Sequence, residues 1–281
     1  MLVDKNIILT GATSGIGLET CKLLLFEGAN VIGMGSSKLS CRKAHQKCFD
    51  LSNNIKFIEC DLSDQASIHN AAAIIKAMYN KIDALINNAG VIYLKPITDK
   101  LGIEKTFSVN YLGHYLLTRL LFPYILNSTK PSIVNVSSMA YKTGVLDLAQ
   151  LGNNEITGMK AYSRSKLAQI LFTQTLAQKL SDSNVSVNCL HPGLIGTNLL
   201  SKNGVLGSIL TVAHKIVGRS VAHGAKNVLH NVNLEKAGKT NGQYYVNSKI
   251  EPLLPHAKDP KKAIRLWDLS ANLCNLPLND N

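Results

Sequence analysis

The stretch AYSRSKLAQ, residues 161–169, places Tyr162 four residues before Lys166. Residues four apart share one face of a helix, so this spacing makes a phenol and an ammonium group neighbours. A free tyrosine has a pKa of about 10 and is a poor base near neutrality. A nearby cation favours the phenolate, and we therefore expect Lys166 to lower the pKa of Tyr162. A tyrosine tuned in this way can exchange a proton with an alcohol or carbonyl oxygen.

A glycine-rich stretch, TGATSGIG at residues 10–17, joins an apolar run to a helical stretch. Gly11 allows a tight turn, Gly15 lets the backbone approach a pyrophosphate, and Gly17 lets the helix pack on the strand. The N-terminus of the following helix presents N–H groups and a positive dipole end to phosphate. We therefore expect a dinucleotide site, and the alternative is an ordinary strand–turn–helix connection.

The segment after the second apolar run bears on the choice of coenzyme. An acidic residue there would bind the 2′-hydroxyl of NAD, but GMGSSKLSCRK (residues 33–43) contains no carboxylate. Ser36, Ser37 and Lys38 could instead bind the 2′-phosphate of NADP, or Lys38 could simply begin a solvated helix. Asp61 could accept a hydrogen bond from the adenine amino group, or it could cap the helix that follows.

The remaining chemistry of such a site needs a hydride carrier and a group that holds the reacting oxygen. Lys166 could hold the ribose hydroxyls next to the nicotinamide, and Ser138 could hydrogen-bond the reacting oxygen. Hydride would then pass between the nicotinamide and the substrate carbon, while the protein orients and polarises.

Short apolar runs alternate with longer helical stretches along the whole chain. Strands are predicted at residues 6–10, 29–34, 55–60, 83–90, 132–138, 185–193 and 242–247, and helices at 15–27, 64–79, 111–126 and 160–180. This pattern predicts an α/β fold. We expect a single Rossmann-like, doubly wound domain over residues 1–281, with a mostly parallel sheet of about seven strands and helices on both faces. Ligands in such sheets bind at the carboxyl ends of the strands, where the strand order reverses.

Composition excludes several classes of protein. Of the 281 residues, 46% are hydrophobic and 17% are charged, so the chain can form a sizeable core. The six cysteines form no C-x-x-C pair, which indicates reduced thiols rather than disulfides or a metal site. The longest apolar region, residues 115–126, is broken by Arg119 and Pro123. We expect a cytoplasmic protein without a signal peptide or a transmembrane segment.

The net charge of +12, from 30 Lys and Arg against 18 Asp and Glu, favours anionic partners. A phosphorylated cofactor, an anionic membrane surface and nucleic acid are all anionic. The basic residues are scattered, however, and the densest cluster is KDPKK at residues 258–262. We therefore expect a basic solvated surface with no specific nucleic-acid partner.

Six motifs follow one another in an order that spans nearly the whole chain. They are TGATSGIG, NNAG (87–90), Asn110, NVSS (135–138), YSRSK (162–166) and HPG (191–193). In these motifs the sequence resembles the short-chain dehydrogenase/reductase family. The resemblance implies that Asn110, Ser138, Tyr162 and Lys166 are catalytic. Ser138 is preferred to Ser137 because the serine of the family follows a serine or glycine at the strand end.

The same resemblance implies further roles. Asn110 would anchor a water in a proton relay with Lys166, although a core amide is the alternative. NNAG would support the central sheet and line the adenosine site, and His191 would be a packed residue. The expected cofactor-binding residues are Gly11, Thr13, Ser14, Gly15, Ile16, Gly17, Ser36, Ser37, Lys38, Asp61, Leu62, Asn88, Ala89, Gly90, Tyr162, Lys166, Pro192, Gly193 and Thr197.

Several segments resemble the retinol dehydrogenase-like branch of this family, to which WW-domain oxidoreductase and protochlorophyllide reductase relatives also belong. They are GIEKTFSVNYLGHYLLTRLL (102–121), the segment that begins at YSRSK, and RLWDLS (265–270). The branch mostly uses NADP and often acts on bulky apolar carbonyls or alcohols. It commonly has an arginine where this chain has Ser36. Its membrane-bound retinol dehydrogenases carry an N-terminal anchor that we do not expect here.

Residues 194–240 follow the sixth predicted strand, and their first part is rich in apolar residues and glycine. In the family the corresponding segment covers the substrate, and we expect a mobile apolar lid that favours a hydrophobic substrate and excludes water. A pair of packing helices and an amphipathic helix in contact with a membrane are the alternatives.

These observations predict an NAD(P)-dependent oxidoreductase that interconverts an alcohol and a carbonyl, with NADP as the expected coenzyme and Tyr162 as general acid and base. The alternative function is a non-catalytic nucleotide-binding regulatory or scaffold protein on the same fold. The family resemblance also suggests a homodimer formed through the helices at residues 111–126 and 160–180.

Overall fold

The computed structural model describes residues 1–49, 51–151, 156–193, 221–233 and 240–278, and within them eight strands form one sheet. The strands are β1 (Asn6–Thr10), β2 (Asn30–Gly35), β3 (Ile55–Glu59), β4 (Ala84–Asn87), β5 (Ser132–Val136), β6 (Ser186–His191), β7 (Tyr244–Val246) and β8 (Lys249–Ile250). Their order across the sheet is β3-β2-β1-β4-β5-β6-β7-β8.

All neighbouring strands are parallel except β7 and β8. The order reverses between β1 and β4, so the carboxyl ends of these two strands flank the crevice in which doubly wound sheets bind ligands. The predicted mostly parallel sheet is confirmed. The short antiparallel strand β8 is not predicted by the sequence, because two exposed residues carry no strand pattern.

Helices cover both faces of this sheet, as predicted. They are α1 (Gly15–Phe26), α2 (Lys38–Phe49), α3 (Gln65–Met78), α4 (Lys105–Phe107), α5 (Gly113–Leu126), α6 (Gly158–Lys179), α7 (Val221–Val232) and α8 (Pro260–Leu273). A π-helical turn, Ser108–Leu112, links α4 to α5. None of the described helices combines the length and the apolar composition needed to cross a bilayer.

Side chains that alternate along the strands form two cores, one on each face of the sheet. Ile8, Leu85 and Ile133 face α3, α5 and α6, whereas their neighbours Ile7 and Ile86 face α1 and α7. All five are fully buried. Burial of both faces explains why the strands read as continuous apolar runs rather than as alternating patterns.

Part of the predicted lid belongs to one of these cores. Ala225 and Val228 of α7 are fully buried against α1 and the sheet, and the side-chain amide of Asn227 donates to the carbonyl of Pro192 at 3.3 Å. Residues 221–232 therefore form a packing helix, one of the alternatives for this segment. Residues 194–220 and 234–239 of the predicted lid lie outside the described residues.

The C-terminal helix α8 covers the apolar faces of α5 and α6. Trp267 is 2% exposed, stacks on Phe172 with ring centroids 6.0 Å apart, and meets the edge of Tyr115 at 5.1 Å. The Arg119 guanidinium lies 5.0 Å from the indole and donates to the carbonyl of Pro277 at 2.7 Å. The expected homodimer would use these same two helices, and it stays a prediction.

Loss of the Trp267 side chain would leave a cavity between α5, α6 and α8. We therefore expect Trp267→Ala to lower the free energy of unfolding by about 3–5 kcal/mol in urea titrations. Ile264→Ala is the matched control on the same helix, because Ile264 is 50% exposed. It should change the free energy by about 0.5 kcal/mol or less. Equal losses in the two variants would contradict the packing role of Trp267.

Candidate functional site

The predicted site residues gather at the carboxyl edge of the sheet. Each of the first six strands ends directly before, or within two residues of, a segment that the sequence singled out. The glycine loop follows β1, and the segment beginning at Ser36 follows β2. Asp61 follows β3, NNAG spans the end of β4, and Ser138 and Pro192 follow β5 and β6. The sheet thus brings together residues that are far apart in the chain.

The glycine loop adopts the conformation that a pyrophosphate site requires. Gly11 and Gly15 have φ values of 65° and 53°, in the left-handed region that favours glycine. A Cβ on Gly17 would overlap the carbonyl oxygen of Gly11. Ser14 precedes α1, but its side chain makes no capping hydrogen bond. The first N–H groups of α1 are therefore available to an anion, and these residues fit the phosphates of a dinucleotide.

Thr10 connects the glycine loop to the NNAG segment. Its hydroxyl oxygen accepts hydrogen bonds from the backbone N–H groups of Asn88 and Ala89, at 2.9 and 3.0 Å. The Asn88 side-chain amide also donates to the carbonyl of Thr10 at 2.9 Å. This clamp fixes the two loops that line the predicted adenosine site against each other, with Gly90 at its half-buried end.

His114 completes the clamp from α5. Its Nδ1 lies 2.9 Å from the carbonyl oxygen of Asn110, which can only accept, so Nδ1 carries the proton. Its Nε2 lies 2.8 Å from the Thr10 hydroxyl and accepts from it. Burial lowers the pKa of His114 to about 4, so the neutral ring is present near neutrality. The sequence shows no signal for this role, because a lone histidine in an apolar helix reads as packing.

The residues expected to bind the 2′-phosphate of NADP lie at the surface between β2 and β3. Ser36 and Lys38 are exposed, and the Ser37 hydroxyl accepts from the backbone N–H of Ser40 at 3.3 Å as a cap of α2. The backbone N–H of Lys38 donates to the carboxylate of Glu59 at 3.2 Å. A carboxylate therefore does approach this segment, from β3 rather than from the segment itself.

Asp61 forms a turn instead of a helix cap. Its Oδ1 accepts from the backbone N–H and the hydroxyl of Ser63, at 2.9 and 2.7 Å. The cap of α3 is Asp64, which accepts from the backbone N–H of Ala66. Asp61 is half-buried, and the adjacent Leu62 is buried against Gly113, so both lie at the edge of the predicted adenine site.

Asn110 lies in the π-helical turn and uses its whole side chain as a bridge. Its Oδ1 accepts from the backbone N–H of Val91 at 2.8 Å, and its Nδ2 donates to the Val91 carbonyl and to the Ser165 hydroxyl, each at 3.0 Å. The side chain therefore joins the NNAG segment to α6. Its backbone carbonyl, which also accepts from His114, is the group that would hold the water of the predicted proton relay.

Two neighbouring serines at the end of β5 have different roles. Ser137 is 2% exposed, and its hydroxyl donates to the backbone carbonyl of Lys166 at 3.0 Å. Ser138 is half-buried, caps a 3-10 turn and lies near enough to the Tyr162 hydroxyl to lower its pKa. Of the two, Ser138 has the geometry to reach a reacting oxygen next to Tyr162.

Tyr162 is a protonated phenol in this structure. Burial raises its pKa to about 12, although the hydrogen bond with Ser138 lowers it in part. The expectation that Lys166 lowers the pKa of Tyr162 is therefore wrong for this structure. Desolvation disfavours the phenolate, and the cation lies 5.4 Å from the centre of the ring.

Lys166 is buried, with 2% of its surface exposed. Its ammonium group donates to the backbone carbonyl of Val136 and to Oε1 of Gln169, each at 2.8 Å. Burial lowers the pKa of Lys166 to about 7. The contact with Gln169 is not predicted by the sequence, although a spacing of three residues on a helix is the signal that could have indicated it.

The remaining predicted residues surround these groups. Thr13 and Ile16 lie in the glycine loop and in α1, half-buried and buried respectively. His191 and Pro192 are buried at the end of β6, and Gly193 has a φ of 104°. Thr197 lies outside the described residues.

A buried ion pair supports the site from behind. Arg164 and Glu104 are each 1% exposed, and their charged groups are 3.6 Å apart. The Glu104 carboxylate accepts from the backbone N–H groups of Thr106 and Phe107, at 2.7 and 2.9 Å. This pair links the turn that leads to Asn110 to the helix that carries Tyr162. Nothing in the sequence distinguishes these two charges from surface charges.

A profile of the short chain dehydrogenase family matches residues 5–204. Human retinol dehydrogenase 13 is 34% identical over 290 residues, which cover 97% of this chain and 85% of that protein. A chloroplastic short-chain dehydrogenase of Brassica napus, TIC 32 A, is 30% identical over 279 residues, which cover 95% of this chain and 87% of that protein.

Among solved structures, a putative uncharacterized protein from Mycobacterium Paratuberculosis has the same fold. It superposes with a TM-score of 0.76 at 27% sequence identity, covering 99% of this chain and 96% of its own. The similarity thus extends over the sheet, the glycine loop and the C-terminal helix.

The neutral state of His114 predicts a pH dependence of stability. In the unfolded chain the histidine has an ordinary pKa of about 6.5, whereas the pKa of His114 in the folded chain is about 4. As the pH falls, the unfolded chain therefore binds the proton first. The contribution of His114 to the free energy of unfolding is therefore fully present above about pH 6.5. It falls by about 3 kcal/mol as the pH falls towards 4.

We expect His114→Gln to flatten the fall of the unfolding free energy between pH 7 and 4, as measured by denaturant titrations at each pH. His69→Gln is the control, because His69 is exposed, and it should leave the slope unchanged. An unaltered slope in His114→Gln would show that this ring is not buried in its neutral form.

Proposed function

Since this chain belongs to the short-chain dehydrogenase family, in its retinol dehydrogenase-like branch, we propose that it is an NADP-dependent oxidoreductase that interconverts an alcohol and a carbonyl. The observation that carries this proposal is the joint placement of Ser138, Tyr162 and Lys166 at the edge where the glycine loop presents the N-terminus of α1. The bound coenzyme would supply or accept the hydride.

Tyr162 would act as the proton donor when a carbonyl is reduced. Burial favours the protonated form of its phenol, and Ser138 lies beside it, so both hydroxyls can point at one substrate oxygen. Ser138 would hold that oxygen, and the proton of Tyr162 would move onto it as the carbonyl becomes an alkoxide. In the reverse direction Tyr162 would accept the proton of the alcohol.

Lys166 would act on the phenolate that this proton transfer leaves behind. Its ammonium group lies close to the ring of Tyr162 and is shielded from water, so its charge stabilises an anion there more strongly than an exposed charge would. The same ammonium could hold the ribose hydroxyls of the coenzyme. The carbonyl of Asn110 would receive a water that returns the proton.

Exposed apolar side chains follow Ser138 in the chain. Met139 and Val145 are 42% and 78% exposed, and Leu254 is 39% exposed next to the Tyr141 hydroxyl, which accepts its backbone N–H at 3.4 Å. Exposed apolar side chains of this kind are in line with a bulky apolar carbonyl or alcohol as substrate. The curated relatives named retinol dehydrogenases are in line with such a substrate class.

The coenzyme is proposed to be NADP because the segment after β2 carries Lys38 and two serines but no acidic side chain. The Glu59 carboxylate at the Lys38 amide opposes a 2′-phosphate, so the selection depends on a balance of charges. A panel of apolar aldehydes, ketones and alcohols, followed by absorbance with NADPH, NADH and their oxidised forms, tests activity and coenzyme together.

Removal of the phenolic hydroxyl gives the sharpest test of the mechanism. We expect Tyr162→Phe to lower kcat by about 10³-fold, while the dissociation constant for NADPH, measured by fluorescence, changes by less than about threefold. Tyr124→Phe is the matched control on α5 and should retain full activity. Substantial turnover by Tyr162→Phe would refute the assigned proton donor.

A carboxylate placed after β2 tests the coenzyme assignment. We expect Ser36→Asp to lower the ratio of kcat/KM for NADPH over NADH by about tenfold or more, because like charges repel. Ser181→Asp adds the same charge at the exposed Ser181, beyond the far end of α6, and should leave the ratio unchanged. A constant ratio in Ser36→Asp would exclude this segment from contact with the 2′-phosphate.

A further inference from the structure

Three polar side chains form one stripe along α6. Tyr162, Lys166 and Gln169 are separated by four and three residues, and on a helix of 3.6 residues per turn they share a face. All three are buried towards the ends of β5 and β6. Gln169 is therefore part of the same row as the two residues that the mechanism uses.

The ammonium group of Lys166 is directed towards this third residue. It has three N–H donors, and two of them are used by the carbonyl of Val136 and by Oε1 of Gln169, each at 2.8 Å. The Tyr162 hydroxyl lies beside Ser138, and the Lys166 Nζ is 5.4 Å from the centre of the Tyr162 ring. Lys166 therefore has one donor left for both the phenol and a ribose.

Among the described residues, the Lys166 ammonium group is the partner that orients the Gln169 amide. Gln169 is 1% exposed, and its Nε2 has no acceptor among the residues that the structure describes. A buried amide without an acceptor for its N–H₂ group is unfavourable. A leucine or methionine would fill the same space without that cost, so the packing of α6 does not require a glutamine.

We propose that Gln169 is a positioning residue. It accepts a hydrogen bond from the Lys166 ammonium group and thereby competes for that group with the ribose of the coenzyme and with Tyr162. When the coenzyme binds, Lys166 turns from Gln169 to the ribose hydroxyls. This inference rests on the proposed function. It adds that the strength of the contact between Lys166 and Gln169 sets the affinity for the coenzyme.

Gln169→Glu strengthens the competing acceptor without a change of shape. The ammonium group of Lys166 then faces a carboxylate instead of a neutral amide, and the added Coulomb attraction is strong in a buried site. We therefore expect the dissociation constant for NADPH, measured by fluorescence titration, to rise about tenfold. The apparent pKa in the pH profile of kcat/KM for alcohol oxidation should rise by about one unit, since the phenolate loses its cation.

Gln169→Asn tests the opposite direction. Its side chain is shorter by one methylene and cannot reach Nζ, so NADPH should bind about threefold more tightly than to the wild type. Gln178→Glu is the matched control, because Gln178 lies on the same helix and is exposed; its dissociation constant and pH profile should equal those of the wild type. Circular dichroism checks the folding of each variant. If Gln169→Glu does not fold, the dissociation constant of Gln169→Asn tests the proposal.

The outcomes separate this inference from the proposed function. A wild-type protein that binds no NADPH or NADH would refute the proposed function. The other outcome is that the wild-type protein binds coenzyme and turns over substrate while Gln169→Glu and Gln169→Asn both equal it in the dissociation constant and the pH profile. That result would refute the role of Gln169 only.

Discussion

The burial of one ammonium group is the constraint on which the rest of the site depends. Lys166 is held under α6 at the end of β5, where water does not compensate its charge. A buried cation is tolerated only when acceptors meet it, and here the Val136 carbonyl and the Gln169 amide do so. The helix that carries the lysine must therefore lie directly over the ends of the central strands.

A continuous row of buried polar groups fixes that helix on the sheet. The Asn87 amide donates to Oδ1 of Asn135 at 2.8 Å, and the Asn135 amide donates to the Thr173 hydroxyl at 2.9 Å. Thr173 in turn donates to the backbone carbonyl of Gln169 at 2.7 Å. Because such bonds are directional, they set the rotation of α6 more sharply than apolar contacts do. The α8 helix then covers the outer face of α6 with Trp267.

The sequence predicts the frame of this molecule well and its polar interior poorly. Strands such as Asn6–Thr10 are predicted because burial on both faces leaves an unmistakable apolar run, and the glycine loop is predicted because Gly11 and Gly15 need positive φ. The partners of His114 and Gln169 are long-range or depend on side-chain rotation, which no local pattern records. The state of Tyr162 is mispredicted for the same reason: spacing shows that a cation is near, but not how strongly burial opposes the phenolate.

The nearby cation favours the phenolate of Tyr162 and burial opposes it, and this opposition explains how the site can move a proton. Burial favours the neutral form of both groups, since it raises the pKa of Tyr162 to about 12 and lowers that of Lys166 to about 7. With these values the phenol keeps its proton near neutrality, and only a charged amine beside it would favour the phenolate. A protein that supplied the cation at all times would stabilise the phenolate before a substrate arrived. A cation bound first by neutral acceptors leaves the phenol protonated, and a proton donor in that state is what the reduction of a carbonyl requires.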